Sequence, residues 1–502
     1  MFESANLYHK VDKTVYRRQE PKLREALLNA QYDLKQNGRF PVLILVAGVE
    51  GAGKGETVNL LNEWMDPRHI EASGFADPSD EENERPRMWR YWRALPPKGK
   101  IGVFFGAWHT QPVVDRVMGR IGAGKFDQHI TEILRFEKML TDEGVLLLKF
   151  WFHLSKEQQK KRLKALEKDP KTSWRVTKND WELYKLYDRF NKVCEPFLRR
   201  TSTGEAPWLV VPGADPRHRS LTVGKTLLAA LRERLDEKPV KRLPDTNPPL
   251  LPSIDKLNVL RALQLDQAMS KQEFEKQLEK WQGRLNVLTR HPRFKDMSVV
   301  AVFEGNDAAG KGGAIRRITG ALDARRYQNV SVAAPTEEER AQPYLWRFWR
   351  HVPRRGRFVI FDRSWYGRVL VERVEGFCSE ADWRRAYTEI NDFEQELARQ
   401  DMVVVKFWLA ISKEEQYKRF KARETISFKR FKITSEDWRN RKKWDDYEIA
   451  VCDMVDRTSS SIARWTLVEA NNKYHARIKV LKTLCQAIEA ALASVKKEGG
   501  KR

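Results

Sequence analysis

The sequence predicts an α/β protein made of two similar domains in tandem, each a parallel sheet flanked by helices around a phosphate-binding loop. Apolar runs rich in β-branched residues alternate with helical stretches, and this alternation is typical of parallel sheets. Such a run leads twice into a loop of the type G-x-x-x-x-G-K, at residues 48–54 and 305–311. Other rare residues recur with the same spacing, which indicates a duplicated domain.

Composition agrees with a folded, multidomain protein. The 502 residues suffice for two or three domains, and 41% hydrophobic with 32% charged residues is typical of a globular chain. The 93 Lys and Arg residues exceed the 69 Asp and Glu residues, giving a net charge of +24. This excess favours a polyanionic partner, either nucleic acid, a membrane surface or a phosphate polymer. A basic surface that serves only solubility is the alternative.

The lack of a signal-peptide core or apolar span and the spacing of the cysteines favour a cytoplasmic location. The first twenty residues lack the apolar core of a signal peptide, and no apolar run approaches the ~20 residues of a membrane span. The four cysteines lie far apart without a C-x-x-C pair, which argues for a reducing compartment and against a zinc site. We therefore expect a cytoplasmic protein that does not contact the membrane.

The first copy begins with a polar segment of helical spacing, residues 1–40, followed by a predicted strand at Val42–Val46. Residues 241–253 carry four prolines in thirteen positions and predict an extended linker. The predicted domains are therefore residues 1–245 and 246–502.

The second copy begins with a predicted helical segment at residues 254–295, where Glu and Lys recur at helical spacing. Helical stretches separate the predicted strands that follow. These strands are residues 298–304, 358–362, 403–409 and 464–469.

The repeat holds its register without gaps over about 160 residues. Lys54 and Lys311 are 257 positions apart, and the same offset relates tryptophans and other residues along the chain. Further pairs at this offset are Trp89 with Trp346, Lys149 with Lys406, Asp180 with Asp437, Thr201 with Thr458 and Trp208 with Trp465. Each copy is too long to be a solenoid repeat, so each should be a complete domain.

The second loop has the residues of a phosphate site. Gly305 and Gly310 let backbone N–H groups turn onto phosphate oxygens, and Lys311 reaches the outer phosphates at the start of a helix. Gly312 stands where a Ser or Thr usually holds Mg²⁺. We therefore expect Asp307, inside the loop, to carry the metal.

A second acidic residue, Asp362, ends the next predicted strand. An acidic residue at this position beside a phosphate loop typically binds Mg²⁺, so Asp307 and Asp362 together are the predicted metal ligands. Arg363 and Arg368 would stabilise negative charge on a transferring phosphoryl group. The alternative is that Asp362 caps a turn and the arginines lie on a solvated face.

Several motifs of the second copy together resemble the polyphosphate kinase 2 family. They are Gly-Asn-Asp-Ala-Ala-Gly-Lys-Gly-Gly (305–313), Trp-Arg-Phe-Trp-Arg (346–350), Phe-Asp-Arg-Ser-Trp-Tyr-Gly-Arg (361–368), Glu-Gly-Phe-Cys (375–378) and Glu-Ala-Asn-Asn-Lys-Tyr-His-Ala-Arg (469–477). The resemblance covers residues 290–485, and the tandem arrangement is similar to the two-domain members, which are polyphosphate:AMP phosphotransferases. It implies a thymidylate-kinase-like P-loop fold with a helical lid, dependence on Mg²⁺ (with Mn²⁺ as an alternative) and a basic channel for the polymer.

The resemblance also implies roles for single residues. Asp307 and Asp362 are similar to the paired aspartates that bind metal and orient the attacking phosphate, Lys311 to the loop lysine, and Arg363 to the arginine after the second aspartate. The lid should lie in residues 416–424 and 428–432, although Thr-Ile-Ser-Phe at 425–428 departs from the usual Asp-Pro turn. The predicted phosphate-binding residues are Gly305, Gly310, Gly312, Gly313, Arg347, Arg350, Arg368, Arg419, Arg423, Lys429 and Lys432.

Alternatives remain for two groups of these residues. Residues 413–424 also fit an ordinary amphipathic helix with its charges in water. Trp346 and Trp349 could stack an adenine, but their spacing favours core packing. The histidines at 109, 351 and 475 are isolated and suggest no nucleophile or ligand cluster.

The first copy lacks the predicted catalytic residues. Glu50, Phe105 and Gly106 replace Asp307, Asp362 and Arg363 at the 257 offset, and Phe105 cannot bind a metal ion. We therefore expect this domain to be catalytically inactive and to serve packing or polymer binding. The basic residues that could still bind a polyanion are Lys54, Arg90, Arg93 and Arg162.

The predicted reaction is in-line phosphoryl transfer without a protein nucleophile, from inorganic polyphosphate to AMP giving ADP, with GMP a poorer acceptor. Three alternatives are polyphosphate-dependent phosphorylation of ADP or GDP, an ATP-dependent nucleotide kinase, and a binding protein with vestigial loops. Two carboxylates facing a polyanion argue against the last. Nucleic acid is not an expected partner, and the fused pair suggests an internal pseudo-dimer that could assemble further into a homo-oligomer.

Overall fold

Each copy of the repeat forms a five-stranded parallel sheet with helices on both faces, as predicted. The computed structural model describes residues 2–7, 9–237, 258–425 and 433–498. The strands of the first copy are Val42–Gly48 (β1), Ile70–Gly74 (β2), Ile101–Phe105 (β3), Leu146–His153 (β4) and Trp208–Pro212 (β5). Those of the second copy are Ser298–Gly305 (β6), Tyr327–Ser331 (β7), Phe358–Asp362 (β8), Met402–Ala410 (β9) and Trp465–Glu469 (β10).

The strand predictions in the second copy are confirmed to within one residue at each end, but β7 was missed. Only Val330 of this edge strand is buried, so the strand lacks the apolar run that marks the others.

The two sheets have the same strand order, β2-β3-β1-β4-β5 and β7-β8-β6-β9-β10. The central strands β1 and β6 therefore each lie between two parallel neighbours. In the second copy, Val299, Ala301 and Phe303 of β6 pack on one side into a core with helical residues that include Ile318 and Leu481. Ligands bind at the carboxyl ends of such strands, where both glycine loops begin.

Helices connect the strands. Those of the first copy are Glu3–Asn6 (α1), Lys13–Asn37 (α2), Lys54–Trp64 (α3), Asp80–Asn83 (α4), Trp89–Ala94 (α5), Thr110–Met118 (α6), Ala123–Asp142 (α7), Lys156–Lys168 (α8), Lys178–Lys185 (α9), Tyr187–Thr201 (α10) and Pro216–Asp236 (α11). Those of the second copy are Lys271–Thr289 (α12), Lys311–Thr319 (α13), Glu337–Arg340 (α14), Trp346–Trp349 (α15), Val371–Glu375 (α16), Glu380–Arg399 (α17), Lys413–Thr425 (α18), Ser435–Lys442 (α19), Trp444–Thr458 (α20) and Lys473–Glu498 (α21).

Part of the predicted helical segment 254–295 is helical, at α12, while residues 254–257 lie outside the described part of the chain. The predicted linker 241–253 also lies outside it, so the domain boundary near residue 245 stays a prediction. No helix among the described residues is long and apolar enough to cross a membrane.

The chain forms two compact units that do not simply follow the sequence. The first comprises the described residues within 1–78, 90–240 and 335–346, and the second comprises the other described residues. Within the first unit, Lys98 N donates to the carbonyl of Ala341 (2.8 Å). Within the second, Gln400 donates to the carbonyl of Asn83 (2.8 Å). Residues 79–89 are equivalent to 336–346 at the 257 offset, so each copy contributes a matching segment to the other's unit.

A buried ion pair anchors the middle of the second unit. Lys406 of β9 and Glu394 of α17 are 0% and 1% exposed, and their side chains are 2.8 Å apart. Lys406 Nζ also donates to the carbonyl of Thr458 and to the hydroxyl of Tyr366, which in turn donates to Glu394 (2.7 Å). Trp365 Nε1 donates to the same carboxylate oxygen (3.1 Å). Strand β9, two helices and the turn after β8 therefore converge on one charged centre.

The first unit contains the same arrangement. Lys149 and Glu137 are 2.6 Å apart and buried, with Trp108 Nε1 donating to Glu137 and Lys149 donating to the carbonyl of Thr201. Each residue is related to its counterpart by the 257 offset. This shared network explains why a lysine, a threonine and a tryptophan recur in register, although His109 replaces Tyr366 in the first unit.

We predict that Lys406→Met lowers the free energy of unfolding by about 3–5 kcal/mol, because it leaves Glu394 as an unpaired buried charge. The double variant with Glu394→Gln should recover much of this loss. Urea denaturation of the full chain measures both effects. A loss below about 1 kcal/mol for the single variant would contradict the assignment of a charged pair.

Candidate active site

The loop after β6 has a backbone that only glycine allows at two positions. Gly305 has φ +149°, and a Cβ there would lie 2.5 Å from the carbonyl oxygen of Leu409. Gly310 has φ +106° and precedes α13, whose first turn is not capped by a side chain. Lys311 Nζ folds back onto the carbonyl of Gly305 (2.8 Å). A glycine loop, a helix N-terminus and a lysine together form an anion site.

Asp307 lies in this loop between two side chains from other elements. Arg363 Nη2 is 3.4 Å from Asp307 Oδ1, and Asn440 Nδ2 of α19 donates to Asp307 Oδ2 (2.9 Å). The pairing joins the glycine loop to the end of β8. Asn440 was not predicted, because a single amide in a charged helix gives no signal in the sequence.

Asp362 is the last residue of β8 and is in register with Phe303 of the neighbouring strand β6. The two predicted aspartates therefore come from the carboxyl ends of adjacent strands. Arg363 follows with φ +64°, a left-handed conformation that costs a residue with a Cβ about 1–2 kcal/mol. At the equivalent position of the first unit, φ +67° is adopted by Gly106, which has no such strain. Backbone strain of this kind is typical of functional sites.

Arg363 lies among several carboxylates that affect the pKa of its guanidinium group. Burial lowers the pKa of its guanidinium, but nearby carboxylates, chiefly Asp307 and Glu304, outweigh burial and raise that pKa. Arg363 therefore stays charged beside both aspartates.

Glu304, at the end of β6, is a site residue that the sequence did not reveal. It is buried and accepts a hydrogen bond from Ser364 Oγ (2.9 Å). Burial raises its pKa to about 7, against the opposing effect of Lys311. In the first copy, alanines at 47 and 107 replace this pair, and that difference between the copies is the signal that could have identified it.

A cavity of about 110 Å³ opens beside the loop. Its lining includes Glu304, Asp307, Lys311, Arg363, Arg439 and Tyr447. Arg439 and Lys443 each lie 3.1 Å from Glu375, so the helices α19 and α20 bring further cations to this side of the sheet. These two basic residues were not among the predicted ones.

Arg419 requires a correction. It was predicted to grip phosphate, but it is buried and its guanidinium donates to the carbonyls of Ala308, Ala309, Ala470 and Asn471, while Nε donates to Glu415. All three nitrogens are therefore committed within the protein. Arg419 is a positioning residue that ties the glycine loop to the end of β10.

The remaining predicted phosphate-binding residues differ in their partners and in their position relative to the cavity. Arg368 pairs with Glu372 (2.8 Å), and Arg347 donates to the carbonyl of Ala333 (3.0 Å). Neither of them, nor Arg350, lines the cavity as the described residues define it. Gly312 and Gly313 lie in the first turn of α13 and Arg423 near the end of α18. Lys429 and Lys432 lie outside the described residues.

The aromatic residues of the Trp-Arg-Phe-Trp-Arg motif are core residues, as the spacing favoured. Trp346 and Trp349 are buried, and the Trp349 ring lies 4.9 Å from that of Phe393.

The carboxylates suit a hard divalent cation. In the described part of the chain, no group of three or more His, Cys, Asp and Glu side chains forms a metal cluster. Two carboxylates, Asp307 and Asp362, are nevertheless the usual protein contribution to Mg²⁺ that is also held by substrate phosphates. The donor set therefore fits magnesium bound together with a phosphate ligand.

The cations around the equivalent loop of the first unit pair with the unit's own carboxylates. Lys54 Nζ lies 2.9 Å from Glu50, which replaces Asp307. Glu56, which replaces Gly313, pairs with Arg162 (2.7 Å) and Arg219 (2.8 Å). The cations that could have received phosphate thus already have partners.

The fold and the second unit's site are those of a phosphotransferase with a glycine-rich loop. Comparisons with known proteins agree. A family model described as polyphosphate kinase 2 matches residues 10–239 and 268–496. The chain therefore belongs to the polyphosphate kinase 2 family.

Full-length relatives are similar throughout. A protein of Pseudomonas aeruginosa is 61% identical over 492 residues, covering 98% of this chain and 99% of the relative. One of Pseudomonas syringae pv. tomato is 55% identical over 498 residues, covering 99% and 100%. Both are named polyphosphate:AMP phosphotransferase. A crystal structure of a polyphosphate kinase 2 from Pseudomonas aeruginosa PA01 matches with a TM-score of 0.89 at 57% identity, covering 98% of this chain and all of that chain.

We predict that Arg363→Gly and Arg363→Ala both reduce phosphoryl transfer by about 10³-fold, because both remove the cation that we expect to face the transferring group. Only glycine relieves the left-handed strain, so Arg363→Gly should be more stable than Arg363→Ala by about 1 kcal/mol. Steady-state kinetics and urea denaturation test the two parts. Equal stability of the variants would show that the φ angle carries no strain.

Proposed function

We propose that the chain transfers the terminal phosphoryl group of inorganic polyphosphate to AMP, giving ADP, and that the second unit carries out the reaction. The observation that carries this proposal is the convergence of Asp307, Lys311, Asp362 and Arg363 at adjacent strand ends. The polyphosphate:AMP phosphotransferases that resemble the chain over its full length support the choice of donor and acceptor. The net charge of +24 suits a polyanionic donor.

The proposed mechanism needs no protein nucleophile. The backbone amides of the loop and Lys311 hold one phosphate, and Arg363 faces the negative charge that moves from donor to acceptor. Asp307 and Asp362 would hold Mg²⁺, which neutralises phosphate charge when bound. Asn440 orients Asp307, and Arg419 fixes the loop that presents it. Catalysis then consists of positioning and electrostatic stabilisation.

We propose that the first unit does not catalyse the reaction. Phe105 offers no ligand where Asp362 stands, and Glu50 pairs with Lys54 instead of a metal ion. Polymer binding by this unit, which the sequence analysis left open, remains a prediction. The expected cytoplasmic location and homo-oligomer remain predictions.

The test is nucleotide product analysis with Mg²⁺ and either polyphosphate or ATP as the donor, offering AMP, ADP, GMP and GDP separately to the full chain. We expect ADP from AMP, and a loss of at least about 100-fold in Asp362→Asn because the acidic ligand is removed. The matched variant Phe105→Leu, at the same position of the first unit, should keep normal turnover. Product formation only with ATP as donor would contradict the proposal.

A further inference from the structure

The first unit contains a larger cavity at the place where the second unit has its active site. Its volume is about 300 Å³, compared with about 110 Å³ in the second unit, and 300 Å³ is the size of a small ligand pocket. Gly48, Glu50, Lys54 and Gln159 line it, as their counterparts line the second cavity. The cavities therefore occupy the same position in the fold but differ in volume.

Three substitutions account for much of the difference. Gly106 replaces Arg363 and opens space, while Val49 and Leu183 replace the amides of Asn306 and Asn440. The cavity is consequently lined mainly by apolar side chains. They include Val49, Phe105, Val113, Val117, Leu183 and Phe190.

The cavity does not present an unpaired loop cation. Lys54 is bound by Glu50 (2.9 Å) and by the carbonyl of Gly48 (3.0 Å). A phosphorylated ligand would have to displace this internal ion pair. The charge balance therefore favours an uncharged ligand.

Polar groups that lack partners also line the cavity. Among the described residues, neither ring nitrogen of His109 has a hydrogen-bond partner, nor has Trp151 Nε1 or Gln159 Oε1. These side chains are 2%, 3% and 3% exposed, and such unsatisfied buried groups are uncommon in folded proteins. In the second unit, Arg441 donates to the equivalent oxygen of Gln416 (3.2 Å). The first unit has Tyr184 at that arginine's position, so the donor is lost.

His109 can supply hydrogen bonds of both kinds. Burial, with a smaller effect of Lys149, lowers the pKa of His109 to about 3, so its ring is neutral near pH 7. A neutral imidazole offers one donor and one acceptor. Together with the indole donor of Trp151 and the amide acceptor of Gln159, it fits a ligand edge that carries both donors and acceptors.

We propose that this cavity binds an uncharged, planar heteroaromatic molecule of nucleobase or nucleoside size. The apolar side chains would cover the ring faces, and His109, Trp151 and Gln159 would bond the polar ring edge. The site lies wholly in the first unit and is independent of the phosphoryl transfer proposed above.

Adenine and adenosine serve as probes, titrated into the full chain by isothermal calorimetry. We expect one saturable site per chain. His109→Phe keeps an aromatic ring at this position but removes both nitrogens, so it should weaken binding about tenfold or more. The Tm of the ligand-free variant should not fall, since no hydrogen bond of His109 is lost.

Two further variants locate the site. Leu183→Asn restores the amide found in the second unit and should also weaken binding, whereas Asp307→Asn should leave binding unchanged. Binding that is lost in Asp307→Asn but kept in His109→Phe would place the ligand in the second unit and overturn the proposal. The absence of saturable binding of either probe up to about 1 mM would overturn it as well.

Discussion

The buried pair of Lys406 and Glu394 is the interaction on which the second unit's site depends. A charge pair removed from water persists only if its remaining hydrogen bonds are satisfied, and the carbonyl of Thr458 with Trp365 and Tyr366 satisfies them. Trp365 and Tyr366 follow Arg363 after one intervening serine, and the left-handed backbone of Arg363 needs firm support. The network thereby fixes the turn that places Asp362 and Arg363 beside the glycine loop.

The first unit shows how the same scaffold is arranged where Phe105 and Gly106 replace Asp362 and Arg363. It retains the buried lysine and glutamate, the sheet order and the glycine loop. It has lost the features that are strained or costly: a glycine replaces Arg363, and the loop lysine is neutralised by Glu50. Lys311 of the second unit donates to a main-chain carbonyl, whereas Lys54 of the first unit also pairs with a carboxylate, that of Glu50. The two copies of the fold therefore differ in how the charges around their glycine loops are paired.

The sequence predicted the features that depend on local chemistry. Glycine spacing identified the loop, apolar runs identified all but one strand of the second copy, and the 257 offset revealed Phe105 in place of Asp362. It could not predict contacts made across the fold. Asn440 donates a hydrogen bond to Asp307 from a helix that is distant in sequence. The pKa of Glu304 is raised because the fold buries its carboxyl group. Arg419 was predicted to bind phosphate because it lies in the expected lid. Its four carbonyl partners are main-chain groups, which the sequence does not display.

The loop lysines provide the most direct test of the claim that only the second unit transfers phosphate. ADP formation from AMP and polyphosphate should be measured for Lys311→Met and for the matched Lys54→Met in the full chain. We expect Lys311→Met to lose about 100-fold or more in turnover, because the loop loses its phosphate cation. Lys54→Met should remain close to the parent, since Glu50 already neutralises that lysine. Equal losses in both variants would contradict this division of roles.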